Sequence, residues 1–237
     1  VCIDLAGEWR WQIAIDQEEV EKYKSRLRHL GQVGSGLYNG MIYPLRGYGI
    51  KGVLWYQGEA NAGDPSYYQS YLTSLISNWR AQFGQPQLPF LMVQLPNFMA
   101  KDTVPAESNW ARIREAQFEV SKEVPLTALA VTYDLGEWND IHPLNKKDMA
   151  KRLFLCALKM LYGEQVVASG PRFKHMRTDG NQVVVSFNEI GKGLAIGHGK
   201  KLQHFAIAGS DRKFVWANAI IRGNEVVLSH PKISNPQ

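Results

Sequence analysis

Residues 52–61 read GVLWYQGEAN, an apolar run that stops at a cluster of polar side chains. A short run that is apolar at every position is typical of a central strand of a parallel sheet, which is buried on both faces. Asp64 and Pro65 then form a helix start signal. Apolar side chains at steps of three and four follow within residues 66–83, namely Tyr68, Tyr71, Leu72, Leu75, Ile76 and Trp79. This stretch therefore predicts a strand, a loop and a helix.

The same order occurs twice more along the chain. Residues 88–95 predict a second buried strand, followed by a helix over about residues 109–122. Residues 126–133 predict a third strand, followed by a helix over about residues 146–162. Three strand–loop–helix units indicate a parallel α/β sheet, in which functional residues collect in the loops after the carboxyl ends of the strands.

From about residue 166 the pattern changes to short alternating strands separated by turn residues. The predicted strands begin at residues 171–173 and continue at 182–187, 202–208, 214–221 and 225–229. This part predicts a small all-β unit.

We therefore predict three parts. Residues 1–35 form an N-terminal segment of strands and a charged helix, residues 36–165 form an α/β domain, and residues 166–237 form an accessory β domain that is itself truncated. The chain opens with Val and begins inside a patterned stretch, so we expect it to be part of a longer polypeptide.

Composition excludes several classes of protein. The 237 residues are 45% hydrophobic and 21% charged, which is ordinary for a globular protein. No apolar run is long enough for a membrane span. The net charge of +5 is scattered, and the basic clusters carry neither interleaved aromatic residues nor a nucleic-acid motif, so we expect no nucleic-acid partner.

No cofactor or metal is predicted. The two cysteines, Cys2 and Cys156, are too few for a disulfide framework or a zinc site. The chain also has no histidine pair at metal-ligand spacing and no phosphate-binding loop of the Walker type.

One histidine lies where an α/β enzyme places a general base. His142 follows the third predicted strand in the loop 134–143, which leads into a helix. The other histidines (His29, His175, His198, His204 and His230) lie in a charged helix or near turns and strand ends of the β unit. Glu59 and Asp140, in loops after different strands, also permit a two-carboxylate glycosidase.

Residues 37–45 and 52–61 resemble the sialate O-acetylesterase family, a branch of the SGNH-type hydrolases related to the acetylxylan esterases of carbohydrate esterase family 6. Residues 110–117, 140–146 and 205–209 fit the same pattern. The resemblance implies a three-layer α/β/α fold, here partial, with a smaller all-β accessory unit. It also implies a secreted or periplasmic enzyme that removes O-acetyl groups from sugars through an acyl-enzyme on serine.

The resemblance also implies roles for individual residues. His142 would take the serine proton, and Gln57 would donate its side-chain amide to the oxyanion, with Gly58 allowing close approach. Glu59 and Asn61 would brace that turn or touch the sugar.

The sequence does not decide which group orients the imidazole of His142 or which residues contact the sugar. Hydrolases of this type often place the orienting acid three residues before the histidine, where this chain has Asn139. Asp140 could orient the imidazole instead, as could Asp134, Glu137 or a backbone carbonyl. Trp138, together with Tyr133, would stack on sugar rings.

The nucleophile itself is missing from the pattern. The family carries it in a glycine-flanked serine motif after the first strand of the fold, and no serine of this chain fits. Ser35 lies between two glycines, but no buried strand precedes it, so the segment is interpreted as a loop. We therefore expect the serine to lie outside this chain and the chain alone to be inactive. The alternative is an inactive carbohydrate-binding or scaffolding fragment. Esters of sialic acid and of xylan both fit the family.

Overall fold

A computed structural model describes residues 34–197 and 199–237. The strands and charged helix predicted for residues 1–30, with Cys2 and His29, lie outside the described residues, as does His198. The chain divides into two compact units, residues 1–49 and residues 50–237.

The described part of the first unit is short and mostly exposed. A π-helical turn spans Tyr38–Ile42, and a 3-10 turn follows over Tyr43–Leu45. The guanidinium of Arg46 lies 3.7 Å from the centroid of the Tyr43 ring, a favourable cation–π contact.

The second unit contains a parallel sheet of three strands. They are β1 (Val53–Trp55), β2 (Phe90–Val93) and β3 (Thr127–Ala130), hydrogen-bonded in the order β1-β2-β3. Three helices connect and follow them, namely α1 (Tyr68–Gln82), α2 (Asn109–Glu123) and α3 (Lys146–Leu161). The predicted α/β class is therefore confirmed.

Helices cover both faces of this sheet. Ile76 of α1 and Ile113 of α2 pack with Phe90 and Met92 of β2 in one buried core. The opposite face is covered by α3, where Leu153 and Cys156 pack on Leu91, Val93 and Ala130. Burial on both faces explains why the strands contain runs of consecutive apolar residues. The result is the predicted arrangement of three layers.

Polar side chains mark where the helices begin. Ser108 accepts a hydrogen bond from the Ala111 amide at the start of α2, and Asn145 accepts one from Asp148 at the start of α3. Asp64 caps a 3-10 turn over Pro65–Tyr67 that precedes α1. No helix in residues 34–197 and 199–237 is both long and apolar enough to cross a membrane.

Among the strands that the structure describes, β1 lies at one edge of the parallel sheet. Leu54 is 68% exposed, whereas its register partner Leu91 on β2 is 5% exposed. Val53 donates its amide to Pro89, so the strand alternation directs the N–H and C=O of Leu54 away from β2. Among the described strands none pairs with this side of β1.

A separate antiparallel sheet forms the C-terminal part. Its order is β4 (Arg172–Asp179), β5 (Gln182–Asn188), β9 (Glu225–Ser229) and β8 (Asn218–Arg222), beside a small pair of β6 (Ala206–Ile207) and β7 (Val215–Trp216). Its core is formed by Val183, Val185, Ile207, Val226 and Leu228. The strand predicted at residues 202–208 is reduced to two residues, and the one at 214–221 is divided at Ala217.

Candidate active site

The turn after β1 is held by hydrogen bonds on every side. The Gln57 side-chain amide donates to Asn61 Oδ1 over 2.7 Å. The Gln57 carbonyl accepts from Tyr68 Oη at 2.8 Å and from Gln117 Nε2 at 3.1 Å. Both donors come from helices, α1 and α2, that pack under the turn. The position of Gln57 is therefore fixed by both helices of one layer.

Gly58 occupies a position that only glycine fits. It is buried and has a φ of +149°, a conformation that side chains of other residues rarely tolerate. A Cβ there would lie 3.1 Å from Ile113 Cγ2 and 3.3 Å from both Gln117 Nε2 and Tyr68 Oη. The close approach of the turn to the helices therefore depends on the missing side chain.

Gln117 joins this turn to the neighbouring strand. Its side chain is buried, and its Oε1 accepts from the Leu95 amide at 2.9 Å while its Nε2 donates to Gln57. This role of Gln117 was not predicted from the sequence. A signal exists, because a glutamine falls within the buried stripe of Trp110, Ile113 and Val120 along α2.

Replacing Gln117 by leucine should lower the free energy of unfolding by about 2–3 kcal/mol, because the buried Leu95 N–H loses its acceptor and Gln57 loses one of its two donors. Urea denaturation of the variant measures the change. Gln69→Leu on α1 is the matched control, since it removes only an exposed hydrogen bond to Glu123. Equal effects in both variants would contradict this role of Gln117.

Burial keeps the two tyrosines of this region protonated. Burial raises the pKa of Tyr68, and the Glu59 carboxylate raises it further, against hydrogen bonds from its surroundings that lower it. Burial and Glu59 raise the pKa of Tyr56 in the same way. The Tyr68 hydroxyl therefore remains a donor to Gln57 at neutral pH. Glu59 itself lies half-buried at the start of the 3-10 turn Glu59–Gly63.

The loop between β3 and α3 is fixed at its beginning. Arg152 donates two hydrogen bonds to the Asp134 carboxylate, at 2.5 and 2.8 Å, and this pairing is the main reason that the pKa of Arg152 is raised. The Gly136 amide donates to Asn97 Oδ1 at 2.9 Å. A Cβ on Gly136 would lie 2.2 Å from the Asn97 carbonyl, so this contact also requires glycine.

His142 lies at the far end of this loop with an exposed ring. Its side chain is 90% exposed, and its backbone amide donates to Asp140 Oδ1 at 2.7 Å. Its Nδ1 lies 3.9 Å from the same oxygen, which is longer than a hydrogen bond. Asp134 is held by Arg152, whereas the Asp140 carboxylate lies within 3.9 Å of the His142 ring.

Two contacts bring this loop to the edge of the sheet where Gln57 lies. The ammonium of Lys146 lies 5.4 Å from the centroid of the Tyr56 ring, and Tyr56 directly precedes Gln57. Ile141, next to His142, packs against the same core as Tyr56. Trp138 is 63% exposed, and its carbonyl accepts from the Met99 amide at 2.8 Å.

A serine–histidine pair elsewhere does not provide a nucleophile. Ser186 Oγ lies 3.4 Å from His175 Nε2 in the antiparallel sheet, but it donates to Glu225 at 2.8 Å. Bonding to Arg177 first, and to Ser186 next, lowers the pKa of Glu225 to about 2. The Ser186 hydroxyl donates to this carboxylate and not to the imidazole of His175, so the pair lacks the hydroxyl-to-imidazole hydrogen bond of an activated serine. The row His175, Ser186 and Glu225 is a cross-strand polar ladder.

Within the described ranges, no group of three or more His, Cys, Asp or Glu side chains is arranged to hold a metal ion.

A family model agrees with the geometry. The model of the carbohydrate esterases described as sialic acid-specific acetylesterase matches residues 13–152. This range includes the β1 turn, Gln117 and His142.

Individual relatives point the same way. The sialate O-acetylesterase of Mus musculus is 36% identical over 146 residues, which is 55% of this chain and 27% of that protein. The Homo sapiens sialate O-acetylesterase is 35% identical over 147 residues, 55% of this chain and 28% of that protein. The chain therefore spans less than a third of the length of these relatives.

A solved structure covers more of the chain. A carbohydrate acetylesterase from Xanthomonas citri is similar with a TM-score of 0.79 and 42% sequence identity, over 85% of this chain and 47% of that one. A likeness of this extent includes both the parallel and the antiparallel sheet.

Proposed function

Because this chain belongs to the sialic acid-specific acetylesterase family of carbohydrate esterases, we propose that it supplies the general base and an oxyanion donor of a carbohydrate O-acetylesterase. The observation that carries the proposal is the meeting of the rigid Gln57 turn and the His142 loop at one edge of the parallel sheet. Functional residues of α/β enzymes collect at this edge. In this proposal residues 36–165 form the hydrolase domain and residues 166–237 an accessory domain.

The reaction takes two steps in this proposal. A serine hydroxyl attacks the acetyl carbonyl carbon while its proton passes to the imidazole of His142. The bond between that carbon and the sugar oxygen then breaks, and the sugar oxygen takes the proton from His142. Water then attacks the acetyl-serine and gives a proton to His142, the bond between the carbonyl carbon and the serine oxygen breaks, and the serine oxygen takes that proton. Acetate leaves and the serine hydroxyl is restored. The side chain of His142 is exposed, so it is accessible to a serine hydroxyl and to the sugar oxygen in this proposal.

Gln57 suits the role of oxyanion donor because its backbone is immobilised before any substrate binds. One hydrogen of its side-chain amide is used by Asn61, which leaves the second for the oxyanion. A preorganised donor of this kind is typically worth about 3–4 kcal/mol of the barrier. In this proposal Asn61 braces Gln57, Glu59 lines the turn, and the exposed indole of Trp138 stacks on a sugar ring.

The serine lies outside this chain in our proposal. The place of β1 at the edge of the sheet that the described strands form supports this, because a further parallel strand paired there would end beside Gln57 and would cover the exposed Leu54. β2 already occupies the other edge of β1. A secreted or periplasmic location is part of the proposal and rests on the family alone.

Acetate release tests the proposal directly. The 237-residue chain and the complete protein encoded by its gene are compared on 4-nitrophenyl acetate, acetylated xylan and O-acetylated sialic acid. We expect the complete protein to release acetate and the chain alone to stay at background. Activity of the chain alone that Ser35→Ala abolishes would place the nucleophile within it. An inert complete protein that still binds acetylated sugars would favour a carbohydrate-binding role.

A further inference from the structure

A long exposed loop lies between the accessory sheet and the His142 loop. The connection between β2 and α2 runs over residues 94–108 without helix or strand. Connections of this length are uncommon in compact domains and are often functional. Within it we call residues 97–104 the bridging loop.

One end of the bridging loop is attached to the loop that carries His142. The Asn97 amide donates to the Tyr133 carbonyl at 3.1 Å, and the Met99 amide donates to the Trp138 carbonyl at 2.8 Å. Met99 has a φ of +72°, a conformation that is costly for a residue other than glycine. Such a conformation persists only where the surroundings impose it, and it is most frequent at functional sites.

The other end is attached to the accessory sheet. The indole N–H of Trp216 donates to the Thr103 carbonyl at 2.8 Å, between residues that are 113 positions apart. Two contacts fix the position of Trp216. It pairs with Ala206 across β6 and β7, and its ring packs edge-on against the His204 ring, with 5.9 Å between the ring centroids. The indole therefore joins a hydrogen-bonded pair of strands to the Thr103 end of the bridging loop.

We propose that Trp216 is a positioning residue for the His142 loop and that it acts through the bridging loop. The accessory β domain then has a role in the esterase site although none of its residues touches the reacting atoms. Thr103 follows Met99 by four positions, so a shift at the Trp216 end reaches the Trp138 carbonyl over about 14 Å of chain at most. Trp138 and His142 are four positions apart on the loop that is held in this way.

Trp216→Phe tests the proposal in two ways, because it removes the indole N–H and keeps an aromatic ring. In the 237-residue chain, amide hydrogen exchange of residues 97–104 and 133–142 should quicken about five- to ten-fold, while β5 and β9 keep their protection. This arm does not depend on the proposed function. The second arm uses the complete protein and rests on the proposed function. There, KM for acetylated sugar should rise several-fold, with little change in kcat on 4-nitrophenyl acetate.

Phe214→Leu, which alters an exposed ring two residues away, is the control and should change neither exchange nor KM. The proposal would be overturned if exchange became faster at residues 97–104 but stayed unchanged at residues 133–142. If Trp216→Phe also exposes β5 and β9, insertion of two glycines between Lys101 and Asp102 replaces it, because the insertion uncouples the Thr103 end of the bridging loop from the Met99 end without altering the accessory sheet. Unchanged exchange at residues 133–142 in the insertion variant would likewise overturn the proposal. If hydrogen exchange changes as expected but the complete protein releases no acetate, the result would count against the proposed function and not against the role of Trp216.

Discussion

His142→Ala should lower acetate release by the complete protein at least ~100-fold, because general-base catalysis by a positioned side chain typically contributes 10²–10⁴-fold. The same substitution should leave the melting temperature unchanged within error, since the His142 side chain is 90% exposed and packs against nothing that it would uncover. Initial rates on 4-nitrophenyl acetate and on an acetylated sugar, with thermal unfolding alongside, measure both quantities.

Leu144→Ala is the matched control for this substitution. Leu144 is 77% exposed on the same loop, so its truncation disturbs the surface equally without removing a base. Asp140→Asn separates charge from geometry, because the amide oxygen still accepts from the His142 N–H while the charge 3.9 Å from Nδ1 is lost. We expect a loss smaller than that of His142→Ala. If His142→Ala keeps more than a tenth of the activity, another group is the base.

The layered part of the fold was readable from the sequence because its signals are local. Strands buried on both faces give short unbroken apolar runs, and each is followed by a helix with a recognisable start. The predicted helix over residues 109–122 and the observed α2 differ by one residue. Tyr71, in contrast, follows the helical stripe yet is 61% exposed, where it stacks on Tyr67 at 5.9 Å. Periodicity alone does not show where a core ends.

The small strands of the accessory sheet were less readable. Alternation predicted a strand over residues 202–208, but only Ala206 and Ile207 find a partner in β7. Strand length here is decided by pairing with residues far along the chain, which no local pattern contains.

The residues of the candidate site also differ in whether the sequence predicted them. His142 was predicted because it follows a strand at a position where α/β enzymes place functional groups, whereas the role of Gln57 was implied by the family resemblance. Tyr68 and Gln117 both donate hydrogen bonds to Gln57. They lie far from it in the sequence, so no local pattern shows their common role. The hydrogen bond from Trp216 to Thr103 was not predictable for the same reason, since a bond from one indole N–H to a distant carbonyl produces no pattern in the sequence.

Gly58→Ala should be the most destabilising single-methyl change in the β1 turn, lowering the free energy of unfolding by about 2–4 kcal/mol. Part of the loss is backbone strain, since alanine must adopt a φ of +149°. The rest is overpacking, because the new methyl group lies 3.1 Å from Ile113 and 3.3 Å from Gln117 and Tyr68, all of them buried. Urea denaturation of the 237-residue chain measures the sum.

Gly63→Ala provides a control of opposite sign five residues further on. Gly63 lies at the end of the 3-10 turn Glu59–Gly63, its φ is not positive, and a Cβ there would meet nothing within 4 Å. Alanine should therefore leave stability unchanged or raise it by about 0.4–1 kcal/mol, through the smaller entropy of the unfolded chain. If Gly58→Ala is as harmless as Gly63→Ala, the turn can move away from Gln117 and Tyr68. Gln57 would then not be the rigid donor on which the proposed oxyanion site depends.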